Sequence, residues 1–200
     1  MTLLELKSQL YDDLNRTDMT AQVANAISSA IQYYEKERWW FLEDTTATAT
    51  VANQEYCNLP SNVLFPDSII ITVSGSKDPL NRVSYEEINR KDTGSITGYP
   101  SEWAYYKDQI RFYPVPDDVY TLTYSYVLSL ADLSDGASNS WTTDAKDLIR
   151  FRTLKEVYGI VIKDMENARI AGAGEMETYN GLQRLNNAKL TMGRIVKTDW

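Results

Sequence analysis

Three adjacent carboxylate pairs stand out as residues that could move a proton: Asp12–Asp13, Glu86–Glu87 and Asp117–Asp118. Neighbouring residues point to different sides of a helix or strand, so none of these pairs converges on one bond. Two acids from distant segments, as in a glycosidase, are the enzymatic alternative; its mark would be a deep pocket with two convergent carboxylates of perturbed acidity. The chain has no histidine, which removes histidine bases, Ser-His-Asp and Cys-His triads and most zinc sites. Its single cysteine, Cys57, lacks a histidine base and reads as a packing residue. It cannot form an internal disulfide, so the compartment is a reducing one or the fold needs no bridge. Gly172-Ala173-Gly174 is no dinucleotide fingerprint, because the third glycine position is Glu177 and no strand leads into it. Asp132, Asp135 and Asp144 lack the spacing of a helix–loop–helix calcium loop. Arg111-Phe112-Tyr113 suits strand packing as well as nucleic-acid contact. No catalytic, cofactor-binding or metal-ligating residue is assigned.

Charge offers a clearer signal. Residues 1–130 contain 18 acids and 10 bases, while residues 131–200 contain 10 of each, giving the whole chain a net charge of -8. That balance opposes nonspecific adhesion to DNA or anionic membrane, since both are polyanions. The last 17 residues reverse the trend: Arg184, Lys189, Arg194 and Lys197 face Asp199 alone, a net of +3. The stretch from Thr191 to Trp200 is too short and mixed for a core helix and ends on an aromatic anchor. A basic, aromatic-tipped tail on an acidic body points to docking on another protein, through Arg194, Ile195, Val196, Lys197 and Trp200.

The elements follow from periodicity. The chain has 200 residues, of which 43% are hydrophobic, enough for one or two cored domains. No apolar run approaches the roughly 18 residues of a membrane span. The opening Met1-Thr2-Leu3-Leu4-Glu5-Leu6 leads us to expect no secretory signal. Leu3, Leu6, Leu10 and Leu14, widened by Leu4 and Tyr11, predict a first helix over about 3–15. Caps from Asn15-Arg16-Thr17-Asp18 start a second, about 20–40, along Val23, Ile27, Ala30, Ile31 and Tyr34. Trp39-Trp40-Phe41 is expected to plug the junction between helical and β parts.

All six prolines lie between Pro60 and Pro116, where Thr, Val, Ile and Tyr dominate. Strands are expected over 45–52, 56–59, 68–73, 103–106, 109–113 and 120–127, with Lys77-Asp78-Pro79 as a turn and Lys107-Asp108 as a two-residue hairpin. Ser84 and Glu87 predict a capping box on a short helix. After an Asp/Ser/Gly-rich loop, Thr142 or Thr143 caps a helix along Leu148, Phe151, Leu154, Tyr158, Val161, Ile162 and Met165. Gly172-Ala173-Gly174 interrupts it, and Met176, Tyr179, Leu182 and Leu185 define a last helix to about 191. The fold expected is α+β: a four-helix bundle from both chain ends (1–44 and 131–191), an inserted small antiparallel β-sandwich or barrel (45–130) and an extended docking tail (192–200).

The order of these segments resembles the head-to-tail adaptors of short-tailed bacteriophages, the tubular-tail-A-like family. The matching pieces are Tyr33-Tyr34-Glu35, Trp39-Trp40-Phe41-Leu42-Glu43, Tyr56-Cys57-Asn58-Leu59-Pro60, Gly98-Tyr99-Pro100-Ser101-Glu102-Trp103-Ala104-Tyr105, Ile110-Arg111-Phe112-Tyr113-Pro114-Val115-Pro116 and the two closing helices. A glycine is common before the strand at Tyr56 in such proteins; here Ala52-Asn53-Gln54-Glu55 stands there. The resemblance implies a structural virion protein at the head–tail junction, made in the host cytoplasm. It implies a ring of twelve beneath the portal, partnered by portal protein and by a tail nozzle or tail tube protein, with genome DNA passing through unbound. From the residues themselves, neither a cofactor nor a membrane partner is expected. Other readings are a different neck or tail ring component, such as a tail terminator, and a β-rich carboxylate hydrolase.

Overall fold

A computed structural model describes residues 1–91, 96–130 and 133–192. The chain divides into two compact units: Met1–Phe41 with Ala131–Trp200, and Leu42–Leu130. The first is helical, the second carries the sheets, and the class is α+β. Among the described residues no helix is long and apolar enough to cross a membrane.

In the helical unit, α1 (Leu3–Leu14) starts on a capping box: the Thr2 hydroxyl accepts the Glu5 amide, and the Glu5 carboxylate accepts the Thr2 amide at 2.8 Å. Two more of its first amides, of Leu3 and Leu4, are taken by the Ala137 and Asp135 carbonyls, each at 2.9 Å. Leu3, Leu6, Leu10 and Leu14 are buried as the periodicity requires; Leu4 instead faces outward, 56% exposed. Helix α2 (Thr20–Tyr34) buries Val23, Ala26, Ile27, Ala30 and Tyr34. It begins after Met19 without a side-chain cap, because Asp18 is engaged by Arg16 at 2.7 Å. It also ends earlier than predicted. Of Trp39-Trp40-Phe41, Trp39 is fully buried in the helical unit, its indole N–H donating to the Tyr34 carbonyl at 2.9 Å, and the half-buried Phe41 meets Trp141 edge-on at 5.1 Å.

In the sheet-bearing unit, β1 (Glu43–Ala49), β2 (Tyr56–Asn58), β3 (Val63–Val73), β4 (Ser76–Pro79), β5 (Asn81–Arg82), α3 (Tyr85–Arg90), β6 (Thr97–Gly98), β7 (Glu102–Tyr106), β8 (Gln109–Tyr113), β9 (Val115–Pro116) and β10 (Thr121–Leu128) follow in order. Two four-stranded sheets run β1-β10-β3-β4 and β2-β8-β7-β5, and β6 pairs with β9. Pairing is antiparallel except for β5 with β7 and β6 with β9. Alternate residues of both sheets share one core, including Ile69, Ile71, Leu122 and Tyr124 from one sheet and Trp103, Ile110 and Phe112 from the other. The predicted hairpin at Lys107-Asp108 is present, both residues lying in the left-handed region at φ 48° and 60° that a type I′ turn demands. The turn predicted at Lys77-Asp78-Pro79 is strand β4; Ser74 and Gly75, at φ 49° and 87°, make the reversal before it. Ser84 caps α3 by accepting the Glu87 amide at 3.1 Å.

Beyond the sheets, α4 (Ser140–Thr143) is capped by Asn139, so Thr142 and Thr143 lie inside a helix instead of opening one. Helix α5 (Lys146–Glu156) continues as a π-helical turn, Val157–Ile162, and Lys163 at φ 63° reverses the chain into α6 (Met165–Met192). Val161 and Met165, expected on the apolar face, are exposed because the π turn shifts the helical phase; Val157 is the residue it buries. Helix α6 runs straight through Gly172-Ala173-Gly174. The reason for glycine is packing: a Cβ on Gly174 would sit 2.6 Å from the Phe151 ring of α5. Ala171, Glu175 and Asn186 form the buried face of α6, and Met176 and Leu185 point outward.

Candidate functional site

The segment singled out for docking, Arg194, Ile195, Val196, Lys197 and Trp200, lies outside the described residues, as does Asp132. The other candidates are dispersed. Asp13 holds Arg150 with two bonds of 2.6 and 2.5 Å, while Asp12 is exposed. Glu86 and Glu87 occupy the first turn of α3, where the helix dipole favours acids. Asp117 accepts the Tyr120 hydroxyl at 2.6 Å, and Asp118 accepts the Val119 amide at 2.7 Å. Asp135 pairs with Lys7, and no cluster among the described residues has metal-ligand make-up. The Cys57 sulfur accepts the buried Tyr124 hydroxyl at 3.1 Å, consistent with packing. Arg111 is buried against Glu55 and Asn89, with Tyr56 and Tyr85 rings 5.5 and 5.1 Å away, so this part of β8 serves the fold.

The strongest constellation is one that sequence reasoning missed. A cavity of about 290 Å³ in the helical unit is lined by residues of α2, α5 and α6, among them Tyr33, Tyr34, Arg152, Lys155, Glu175 and Tyr179. Glu175 is only 6% exposed. It accepts the Tyr34 hydroxyl at 2.6 Å, the Arg152 guanidinium at 3.0 Å and the Lys155 ammonium at 2.7 Å. Arg152 also lies 4.0 Å over the Tyr33 ring, and Tyr34 stacks on Tyr179 at 5.9 Å. Glu37, at the cavity wall, accepts Tyr179 at 3.0 Å and Gln183 at 2.8 Å. The available signal was Arg152 and Lys155 three apart on one helix and an acid, Glu175, directly after Gly172-Ala173-Gly174 on another.

Two carboxylates, Glu37 and Glu175, thus line one cavity, which is the pattern expected of a hydrolase. Their electrostatics say otherwise. A general acid needs a carboxyl held protonated near neutral pH. Burial pushes Glu175 that way, but the bonds from Lys155, Tyr34 and Arg152 outweigh it and hold the carboxyl below its usual value. Burial and the neighbouring Glu175 carboxylate push the Tyr34 hydroxyl up, so it remains a donor. With two cations and a hydroxyl on one carboxylate, the arrangement works as a polar lock between helices.

A family model described as SU10 adaptor protein matches residues 1–197 of the chain. The chain belongs to this family. SU10 adaptor proteins are phage head-to-tail adaptors, so the expected resemblance holds across almost the whole adaptor sequence. No curated protein matches it. Membership makes the adaptor a structural component of a phage virion that associates with portal and tail components. In that setting the Glu175 lock has a role without chemistry. It ties the C-terminal helix of the adaptor to α2 by the Tyr34–Glu175 bond, which spans 141 residues of sequence.

Proposed function

We propose that this adaptor forms a ring of twelve beneath the portal and joins it to the tail nozzle or tail tube, with genome DNA passing through its lumen. The family match over residues 1–197 carries this reading. In it, the helices from both chain ends act as a four-helix bundle, and residues 45–130 act as a β-sandwich module. Residues 192–200 reach along the portal, with Arg194 and Lys197 as charge contacts and Ile195, Val196 and Trp200 as apolar anchors. The protein is not an enzyme and needs no cofactor or metal. Its acidity supports the conduit role, because a net-negative wall lacks the cations that would neutralise phosphates and hold DNA. The same charge keeps free subunits apart, so the protein is monomeric in solution and the portal templates ring closure.

Electron microscopy of the protein mixed with its portal tests this directly. The expected result is twelve-fold rings capping the narrow portal end. Deleting residues 192–200 should abolish portal binding and leave the circular dichroism and melting of the subunit unchanged. Unimpaired binding by the truncated chain would refute the docking role. A protein that binds tail tube and ignores portal would be a tail terminator instead.

A further inference from the structure

Between the start of α5 and the second half of α6 lies a groove of about 220 Å³. Its floor is apolar: Leu148 is buried, Leu182 is half-buried and Leu185 stays 45% exposed. Gly181 keeps it open, since a Cβ there would have nothing within 4 Å. Its rim is acidic. Asp144 and Asp147 are both exposed, and neither forms an ion pair among the described residues. Asp144 accepts the adjacent Thr143 hydroxyl at 3.1 Å, while Arg150, one turn on from Asp147, is committed to Asp13.

A segment of matching chemistry stands in the same chain. Residues 193–200 read Gly-Arg-Ile-Val-Lys-Thr-Asp-Trp. Arg194 and Lys197 have the same spacing in sequence as Asp144 and Asp147, and Ile195, Val196 and Trp200 supply apolar surface for the floor. Gly193 directly follows α6, and glycine is the residue that most readily ends a helix and lets the chain reverse. The lengths agree. Leu185 and Thr178 lie about 10 and 21 Å back along α6 from Met192, at about 1.5 Å per residue, and eight extended residues span up to about 27 Å. The neighbouring groove, lined by Arg152, Lys155, Glu156 and Ile160, and the cavity at Glu175 both present Arg152 and Lys155, which repel a basic segment.

We propose that in the free subunit this groove seats the chain's own residues 193–200, and that the segment leaves it to bind the portal. The proposal rests on the docking role given to this segment above and adds its regulation. Seating pairs Arg194 and Lys197 with Asp144 and Asp147 and covers Leu182 and Leu185, so the groove and the portal compete for one segment. A seated subunit is not competent to dock, and its apparent portal affinity falls by the fraction of molecules whose segment is released. The device holds an apolar, aromatic-tipped segment out of water until its partner arrives.

A nitroxide on Thr198→Cys, in a Cys57→Ser background that keeps an acceptor for the Tyr124 hydroxyl, tests the seat by NMR of the full chain. In the free subunit the Leu182 and Leu185 methyl signals should lose more than half their intensity, and they should recover when portal is added. Asp144→Asn with Asp147→Asn should restore part of the signal and tighten portal binding by about threefold, since two exposed ion pairs no longer hold the segment back. Undiminished methyl signals in the free subunit overturn the proposal and leave portal docking intact. Broadening seen only between a nitroxide-bearing copy and a separately isotope-labelled one overturns it in favour of a neighbour's segment. Broadening that persists under saturating portal, or equal portal affinity in the asparagine variant, overturns the competition. If the full chain fails to bind portal, the docking role falls, while the methyl signals of the free subunit still decide whether the segment is seated.

Discussion

The helical and β units solve the same problem, closing a core, by different means. The β unit is built from hydrogen-bonded ladders, two of them closed by local turns, β7 with β8 across two residues and β3 with β4 across Ser74-Gly75, the others joining distant strands such as β1 and β10. The helical unit has no ladder to bring its two halves together, since residues 1–41 and 131 onward are far apart in sequence. It uses polar bonds of high specificity across that gap: Asp13 to Arg150, Tyr34 to Glu175, and Asn186 to the Trp40 amide at 2.9 Å. The units differ in charge as well. The helical unit carries 16 acids and 14 bases, a net of -2, so opposite charges are matched inside it, while the β unit keeps an unbalanced -6. The lesson is that charge is nearly balanced in one unit, whereas the other keeps an acidic excess beyond its internal pairs, Arg111 with Glu55 and Lys91 with Glu102.

The largest break in that comparison comes at Glu175. Glu175→Ala leaves Arg152 and Lys155 facing each other beside Tyr34, and should destabilise the helical unit by about 3 kcal/mol, because a buried pair that loses one member strands the other charge. Urea unfolding followed by exchange of α2 and α6 amides measures it. The pH dependence has a definite sign. The folded carboxyl lies below its ordinary 4.5, so its contribution is complete above that value and is lost as pH falls through the lowered folded value. Acid should therefore loosen α2 and α6 in the wild type, and Glu175→Gln should flatten this dependence. An unchanged acid profile in Glu175→Gln would show that the lock does not govern acid stability.

A smaller effect sharpens the packing side. Gly174→Ala gains helix propensity in α6 yet drives a Cβ to 2.6 Å from the Phe151 ring, so Phe151 must move. The net should be a loss of about 1 kcal/mol, since overpacking outweighs the propensity gain. Gly181→Ala, with open space around its Cβ, should stabilise by a similar amount and serves as the control. Equal melting shifts in the two variants would remove the packing explanation for the glycine.

This contrast also explains what could be read from sequence. Alternation and turn chemistry are local, so the strands at Tyr56, Trp103 and Gln109 and the reversal at Lys107-Asp108 were legible. The Leu3/Leu6/Leu10/Leu14 stripe was legible for the same reason. Gly172-Ala173-Gly174 was misread as a break, because propensity describes an isolated helix and Phe151 arrives from another one. The outer face of α6 was misassigned because its buried stripe contains Glu175 and Asn186, polar residues that periodicity scores as surface. The constellation at Glu175 needed three helices at once, and nothing in the linear pattern marks a carboxylate as buried until its two cations are placed. The Lys77-Asp78-Pro79 error has another cause: turn-forming residues were used to blunt an edge strand.

The smallest expected effect lies in the β unit, at its most local feature, the turn between β7 and β8. Lys107 and Asp108 both adopt positive φ, which a type I′ turn imposes and a side chain resists. Asp108 is held in place twice over, its carboxylate accepting Tyr105 at 2.6 Å and its carbonyl accepting the Leu59 amide at 3.1 Å. Lys107 has only its ammonium 5.1 Å from the Tyr106 ring, an exposed contact that contributes little. Asparagine tolerates the left-handed region better than lysine, so Lys107→Asn should stabilise by about 0.5 kcal/mol, read as a small rise in the urea midpoint. If the variant instead destabilises, the cation over Tyr106 matters more than backbone strain at this turn.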